Sequence, residues 1–211
     1  MGAAPRVLLL HGLWMHAPAM RWLATRLRAH GFDARTLGYF SLLESTDAAV
    51  ARIAAALRPG DHVVAHSLGG LMALQAATHG EAQPGRIVCL GTPLAGSGAA
   101  RAVHQRVPAG GRLIGPHLSV LEAGVPGIPA VLNVGMVAGC VRRGLGGIVA
   151  RFGDDHDGTV AVAETRVPGL ADHCVVDASH SGLIFSDAAA AQAIAFLRHG
   201  RFEHANGTAD V

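Results

Sequence analysis

Short apolar runs alternate with stretches of helical periodicity along most of the chain. Strands are predicted at 7–10, 32–37, 61–65, 86–90, 128–134 and 174–177. Helices are predicted between them at 18–30, 47–58, 68–79 and 186–198, the second of them capped by Thr46 and Asp47. Short runs that are apolar on both faces are typical of parallel strands, and intervening helices indicate βαβ units. We therefore expect an α/β fold with a mostly parallel, doubly wound sheet of about six strands flanked by helices.

The domain organisation follows from the length and from where the alternation stops. A chain of 211 residues favours one domain, which we place at 1–202, with a minimal cap or none. The Gly/Pro-rich stretch at 96–127 is predicted to be a variable, lid-like or binding segment, and 138–153 a Gly-rich loop. The polar end at 203–211 is predicted to be a flexible tail.

The charged residues exclude several kinds of chemistry. All 17 basic residues are arginine, set against 15 acidic ones. Without lysine there is no Schiff base, no Ser-Lys dyad and no phosphate loop ending in lysine. The arginines are scattered, which argues against a nucleic-acid partner. Three cysteines without C-x-x-C spacing favour reduced thiols, and no apolar run suits a signal peptide or a membrane span, so a cytoplasmic protein is expected.

The sharpest chemical signal is a serine between a predicted strand and a predicted helix. In Ala65-His66-Ser67-Leu68-Gly69-Gly70, small residues stand two positions before and after Ser67. A strained turn between strand and helix needs small flanking residues, and it exposes the serine hydroxyl beside the first helical N–H. Ser67 is therefore a candidate nucleophile, and the N–H of Leu68 a candidate oxyanion donor. The alternative is an ordinary serine N-cap.

A histidine and a carboxylate complete the candidate site. His180 lies in the loop at 178–182, between the last predicted strand and the last helix, where a base beside the serine is expected. In the loop at 153–160, Asp157 precedes Gly158 and is the preferred acid, with Asp155 in reserve. Asp154 and Asp155 are otherwise interpreted as turn formers. The loop lacks the ligands of a calcium loop, so no metal site is predicted.

The first predicted strand, at 7–10, is followed by His11-Gly12-Leu13-Trp14, where the other oxyanion donor is expected. The N–H of Leu13 is the candidate donor, and His11 is interpreted as a structural brace. The predicted substrate pocket is apolar, which favours acyl chains over charged substrates. Its expected lining residues are Gly12, Trp14, His16, His66 and Leu183.

Together these motifs resemble the α/β-hydrolase superfamily, and in particular small bacterial serine esterases and lipases of the lipase-A and PGAP1-like group. Further matching pieces are Gly-Thr-Pro-Leu-Ala-Gly-Ser at 91–97 and Ser-His-Ser-Gly-Leu at 179–183. The resemblance implies a Ser67-Asp157-His180 triad, with Leu13 and Leu68 as the oxyanion donors. It also implies hydrolysis of short- to medium-chain acyl esters through an acyl-enzyme, with no cofactor.

The resemblance leaves the substrate and the partners open. The same triad could serve a thioesterase, a phospholipase or an acyltransferase, and the fold could belong to a silent pseudoenzyme that binds a lipid or a partner. The expected partners are a small-molecule or lipid ester and, transiently, membrane lipid. No nucleic acid is expected, and the chain is expected to be a monomer or a homodimer.

Overall fold

Six parallel strands form one open sheet in the computed structural model, which describes residues 3–143 and 155–204. The strands lie in the order β2-β1-β3-β4-β5-β6. The prediction of a parallel, doubly wound sheet of about six strands is confirmed. The strands are β1 (Arg6–Leu10), β2 (Asp33–Leu37), β3 (His62–His66), β4 (Ile87–Leu90), β5 (Val134–Gly139) and β6 (Asp172–Val176).

Helices cover both faces of the sheet. The α-helices are α1 (Arg21–Ala29), α2 (Thr46–Ala56), α3 (Leu68–His79), α4 (Gly98–Arg106), α5 (Gly110–Ile114), α6 (Leu118–Ala123) and α7 (Asp187–His199). Short 3-10 helices span Ala17–Met20, Gly115–His117, Val162–Thr165 and Leu183–Phe185. The cap of α2 is Ser45, whose hydroxyl accepts from the N–H of Ala48, and not the predicted Thr46 or Asp47.

Two hydrophobic cores follow from the alternation of side chains along the strands. Leu8 and Leu10 of β1 belong to the core under α2, α3 and the short helices. Val7 and Leu9 point to the opposite face, into the core under α1 and α7. Because successive strand residues point to opposite faces, each apolar run serves both cores at once.

The prediction of a strand at 128–134 is wrong, because the fifth strand, β5, extends from Val134 to Gly139 and so includes the first two residues of the predicted Gly-rich loop at 138–153. This strand contains two glycines, Gly135 and Gly139. A Cβ on Gly135 would lie 2.5 Å from the ring of Phe196. A Cβ on Gly139 would lie 2.4 Å from the carbonyl oxygen of Ala178. Both glycines are needed for close packing and do not break the strand.

The predicted lid-like segment at 96–127 contains α4, α5 and α6, and its two ends are tied together. The N–H of Ser97 donates to the carbonyl of Leu121 at 2.7 Å, and that of Val125 to the carbonyl of Leu94 at 2.7 Å. Glu164 accepts from the N–H of Gly98 at the start of α4. These bonds tie the segment at 96–127 to Leu94, which precedes it, and to Glu164, which follows it.

Two further expectations fall partly outside the described residues. Residues 144–153 of the predicted Gly-rich loop and 205–211 of the predicted tail lie outside them, as does Asp154, which was interpreted as a turn former. Glu203 and His204, the first residues of that tail, are hydrogen-bonded to Gln192 and Asp172. In the described part of the chain, no helix has both the length and the apolar character needed to cross a membrane.

Candidate active site

Ser67 occupies a strained backbone position between β3 and α3. Its φ is 53° and its ψ −123°, a conformation that a residue with a side chain rarely adopts. Its hydroxyl makes no capping bond to the helix, which argues against the N-cap interpretation. The glycines after it let the turn approach its neighbours, since a Cβ on Gly69 would lie 2.6 Å from the carbonyl oxygen of His11. Strain of this kind is typical of functional sites.

Ser67, His180 and Asp157 form a continuous hydrogen-bonded row. Nε2 of His180 lies 3.0 Å from Oγ of Ser67, and Nδ1 lies 2.7 Å from Oδ2 of Asp157. All three residues are buried or nearly so. An ionised carboxylate only accepts hydrogen bonds, so Nδ1 is the protonated nitrogen and Nε2 is left to accept from the serine hydroxyl. This is the arrangement required to remove a proton from Ser67.

The Asp157 carboxylate is held in place by its own loop. Its Oδ1 accepts from the N–H of Thr159 at 2.9 Å and of Val160 at 2.7 Å. The carbonyl of Asp157 also accepts from the N–H of His180 at 2.8 Å. Asp155, the reserve acid, is turned outward with its side chain 77% exposed, 3.5 Å from Arg142. The structure thus brings Asp157 to the histidine, and not Asp155.

His66, which is predicted from the sequence to line the pocket, lies behind the row formed by Ser67, His180 and Asp157. Its Nε2 donates to the carbonyl of His180 at 2.9 Å, and the two rings are 4.7 Å apart. Its side chain is buried, and burial lowers its pKa to about 3, with a smaller contribution from the neighbouring His180. The imidazole is thus a buried, neutral donor to a backbone carbonyl, and the assignment of His66 to the substrate pocket stays a prediction.

The backbone next to Ser67 offers two N–H groups. Gly12 lies against the serine, since a Cβ there would be 3.1 Å from Cβ of Ser67 and 2.9 Å from Nδ1 of His66. Leu13 follows Gly12, and Leu68 opens α3. Neither the N–H of Leu13 nor that of Leu68 has a hydrogen-bond acceptor among the described residues. Two such donors beside a nucleophile can stabilise a developing oxyanion.

The remaining predicted pocket residues separate into two groups. Trp14 and His16 are exposed on the loop after β1. The indole N–H of Trp14 donates to the carbonyl of Leu113 at 2.8 Å. Leu183 is fully buried in the core under α1 and α7, and its assignment to the pocket stays a prediction.

Two residues after β4 contribute to the site and were not singled out by sequence reasoning. Gly91 has φ 57°, and a Cβ there would lie 3.1 Å from Oδ2 of Asp157 and 3.2 Å from Nδ1 of His180. The buried hydroxyl of Thr92 donates to the carbonyl of Ser67 at 2.9 Å. The only signal was the Gly-Thr-Pro motif at 91–93, which entered as part of the resemblance without a role.

No group of three or more potential metal ligands lies together in the described part of the chain. Cys89, Cys140 and Cys174 are free thiols. Burial raises the pKa of Cys89 and of Cys174 to about 12, so neither is an available nucleophile.

Solved structures with the same architecture were found by comparison. The mature form of the Bacillus licheniformis lipase BlEst2 has a TM-score of 0.70 at 20% identity, covering 87% of this chain and 88% of that one. Against the propeptide form of that lipase, the whole chain spans 53% of the longer protein, with a TM-score of 0.74 at 21% identity. The pyrethroid hydrolase PytH has a TM-score of 0.65 at 14% identity, covering 93% of this chain and 98% of that one. The chain has an α/β-hydrolase fold.

A further similar structure, that of the carboxylesterase CesB from Bacillus subtilis, has a TM-score of 0.55 at 15% identity over 95% of this chain and 85% of its own. No protein-family model and no curated protein matches the sequence. In this chain Ser67 follows β3, Asp157 comes after β5, and His180 follows β6. That is the chain order of the triad in α/β-hydrolases. The α/β-hydrolase fold thus accounts for how residues 113 positions apart in sequence meet in one row.

Proposed function

We propose that this α/β-hydrolase-fold protein is a serine hydrolase that cleaves carboxylic esters of short to medium acyl chain. One observation carries the proposal. Oγ of Ser67 lies 3.0 Å from Nε2 of His180, which can take its proton, and Nδ1 of His180 lies 2.7 Å from Oδ2 of Asp157, which can stabilise the imidazolium so formed. The similar structures named as lipases and a carboxylesterase are consistent with it.

The reaction begins with proton transfer from Ser67 to Nε2 of His180 as the serine oxygen attacks the ester carbonyl. The carbonyl π bond becomes an oxyanion, which accepts from the N–H groups of Leu13 and Leu68. Asp157 stays ionised and stabilises the imidazolium formed on His180. The C–O bond to the alcohol then breaks, and His180 returns its proton to the leaving oxygen.

Water completes the cycle. His180 removes a proton from a water molecule, whose oxygen attacks the acyl-serine ester. The second oxyanion uses the same two N–H groups, and collapse returns the proton to Ser67 and releases the acid. Losing one such donor costs about 3 kcal/mol of transition-state stabilisation in related sites. We therefore expect the backbone at Leu13 and Leu68 to matter as much as the side chains.

The substrate class follows from the surroundings of the site. The exposed side chains beside the candidate oxyanion loop include Trp14, at 54% exposure, and Leu113, at 52%. Both are apolar, which favours an acyl or aromatic group over a charged one. The range of short to medium acyl groups comes from the resemblance described above, and the series of esters below tests it.

The test is hydrolysis of p-nitrophenyl acetate, butyrate, octanoate and palmitate by the wild type, Ser67→Ala and Ser45→Ala. Ser45 is an exposed helix cap on α2 and provides the matched control. We expect wild type and Ser45→Ala to hydrolyse the shorter esters and to be labelled by a fluorophosphonate, while Ser67→Ala does neither. A wild type that is inactive on all four esters and unlabelled overturns the proposal and leaves a non-catalytic binding role.

A further inference from the structure

Trp14 combines two features that are unusual for an exposed aromatic residue. Its backbone has φ 59°, in the left-handed region, and its side chain is 54% exposed. Its indole N–H donates to the carbonyl of Leu113 at 2.8 Å, across 99 positions of sequence. A bulky residue rarely adopts a positive φ, so something outside the residue must hold it there.

Burial does not hold Trp14, because about half of the residue is exposed to solvent. Among the described residues, the hydrogen bond to Leu113 is the one directed contact of this side chain. An indole nitrogen has a single hydrogen and donates only, so the bond fixes the orientation of the whole ring. The positive φ of Trp14 is therefore coupled to the position of α5, which contains Leu113.

The residue that Trp14 directly follows is Leu13, the proposed oxyanion donor. The plane of the peptide between Gly12 and Leu13 sets the direction of the Leu13 N–H. Gly12 packs closely against Ser67, since a Cβ added at Gly12 would lie 3.1 Å from Cβ of Ser67. Leu13 thus lies between Gly12, which packs against Ser67, and Trp14, which is bonded to Leu113, and these two anchors restrict the backbone angles of Leu13 and with them the direction of its N–H. That N–H has no acceptor of its own among the described residues.

The segment around α5 also contacts the other end of this loop. The rings of His117 and Tyr39 are in edge-on contact, with their centroids 6.5 Å apart and an interplanar angle of 89°. Tyr39 in turn stacks on His11, with the ring centroids 4.3 Å apart, and its hydroxyl donates a hydrogen bond to the carbonyl of His11. Residues 113–117 therefore brace the loop from 11 to 14 on both sides of the proposed donor.

We propose that Trp14 is a positioning residue that, through its bond to Leu113, sets the Leu13 N–H for the oxyanion. The proposal rests on the serine-hydrolase function proposed above. It assigns a role in the site to α5, because the position of this helix determines whether the donor points at the reacting oxygen. Trp14 acts through Leu13 and does not itself touch the reacting atoms.

Trp14→Phe tests this role, because it keeps an aromatic side chain and removes the N–H donor. The chain has two tryptophans, so Trp22→Phe is the matched control. Trp22 lies on α1, where its ring contacts Phe185 and Arg26. We expect Trp14→Phe to lower kcat on p-nitrophenyl butyrate by about tenfold with KM within twofold, a part of what loss of a whole donor costs. Trp22→Phe should keep the kcat of the wild type.

Binding of two inhibitors separates positioning from general damage. Butylboronic acid forms a tetrahedral, oxyanion-like adduct on a nucleophilic serine, whereas butyrate binds without one. A residue that serves the transition state affects only the first. We expect Trp14→Phe to weaken butylboronic acid by about tenfold and to leave butyrate unchanged. Circular dichroism melting of both variants verifies that they are folded.

The outcomes distinguish the two proposals. If the wild type is labelled by a fluorophosphonate but Trp14→Phe matches Trp22→Phe in kcat, the role of Trp14 is overturned and the serine-hydrolase function stands. Equal weakening of butylboronic acid and butyrate in a folded Trp14→Phe also overturns it, since Trp14 is then a wall of the pocket. An unlabelled wild type overturns both proposals.

Discussion

The carbonyl of His180 accepts a hydrogen bond of 2.9 Å from Nε2 of His66, the residue that precedes Ser67. The N–H of His180 donates to the carbonyl of Asp157 at 2.8 Å. The backbone of the proposed base is therefore held on one side by the acid and on the other by the neighbour of the nucleophile. His66 thereby links the two residues between which the proton moves.

Replacing His66 by leucine should lower kcat by roughly 10- to 100-fold, because a shift of the order of 1 Å between reacting groups has that effect. His66→Gln should retain more activity, since its amide can donate to the same carbonyl. Steady-state hydrolysis of p-nitrophenyl butyrate measures both. His62→Leu is the matched control, because His62 lies on the same strand and its Nδ1 accepts from the N–H of Arg86, away from Ser67. Equal kcat for His66→Leu and His62→Leu would contradict the role of His66.

Asp157→Asn should reduce kcat by about 10³- to 10⁴-fold, because the amide cannot stabilise an imidazolium and favours the wrong tautomer. Asp155→Asn should leave kcat within twofold, since Asp155 is exposed and faces Arg142. The rate of fluorophosphonate labelling of Ser67 reports the same difference without turnover. Loss of activity in Asp155→Asn alone would show that the wrong carboxylate has been assigned.

Gly91→Ala should abolish most activity in a protein that still folds. Its new Cβ would press on Oδ2 of Asp157 and Nδ1 of His180, and its φ of 57° is unfavourable for alanine. Gly60→Ala is the control, because its φ is 82° but nothing lies within 4 Å of a Cβ there. Both variants should lose about 1 kcal/mol of stability from the positive φ, while only Gly91→Ala loses kcat. Urea unfolding and ester hydrolysis, measured side by side, test this; retained kcat in Gly91→Ala would refute it.

The free energy of unfolding should fall as the pH is lowered from 7 to 4. Burial lowers the pKa of His66 to about 3 and that of His173 to about 4. In the unfolded chain these imidazoles return to a pKa of about 6.5. Between those values the unfolded state binds protons that the folded state does not, so the folded state loses stability as the pH falls.

Urea unfolding at pH 7, 5.5 and 4.5 measures this pH dependence. His173→Gln should flatten it, because one of the responsible groups is removed. His199→Gln, at the exposed end of α7, is the control and should leave the slope unchanged. An identical slope in His173→Gln and the wild type would show that His173 is not one of these groups.

Much of the fold could be predicted from local pattern, because strands buried on both faces and their intervening helices have clear signatures. The exception was β5, which overlaps the predicted Gly-rich loop at 138–153 and contains glycines at 135 and 139. Their reason lies in tertiary packing, with Phe196 against the first and the Ala178 carbonyl against the second. No local pattern distinguishes a glycine that ends a strand from one that lets another element approach.

The sequence by itself determined the strand–turn–helix context of Ser67, because the glycines and small residues that allow the strained turn are its immediate neighbours. It also determined a loop with three aspartates, at 153–160, and the loop at 178–182 that contains His180. Only the tertiary structure decided that Asp157 faces His180 while Asp155 faces solvent, that His66 lies behind the row and that Trp14 is tied to α5. These are relationships between residues that the sheet brings together from distant parts of the chain, and their geometry depends on how the elements pack, not on the sequence around each residue.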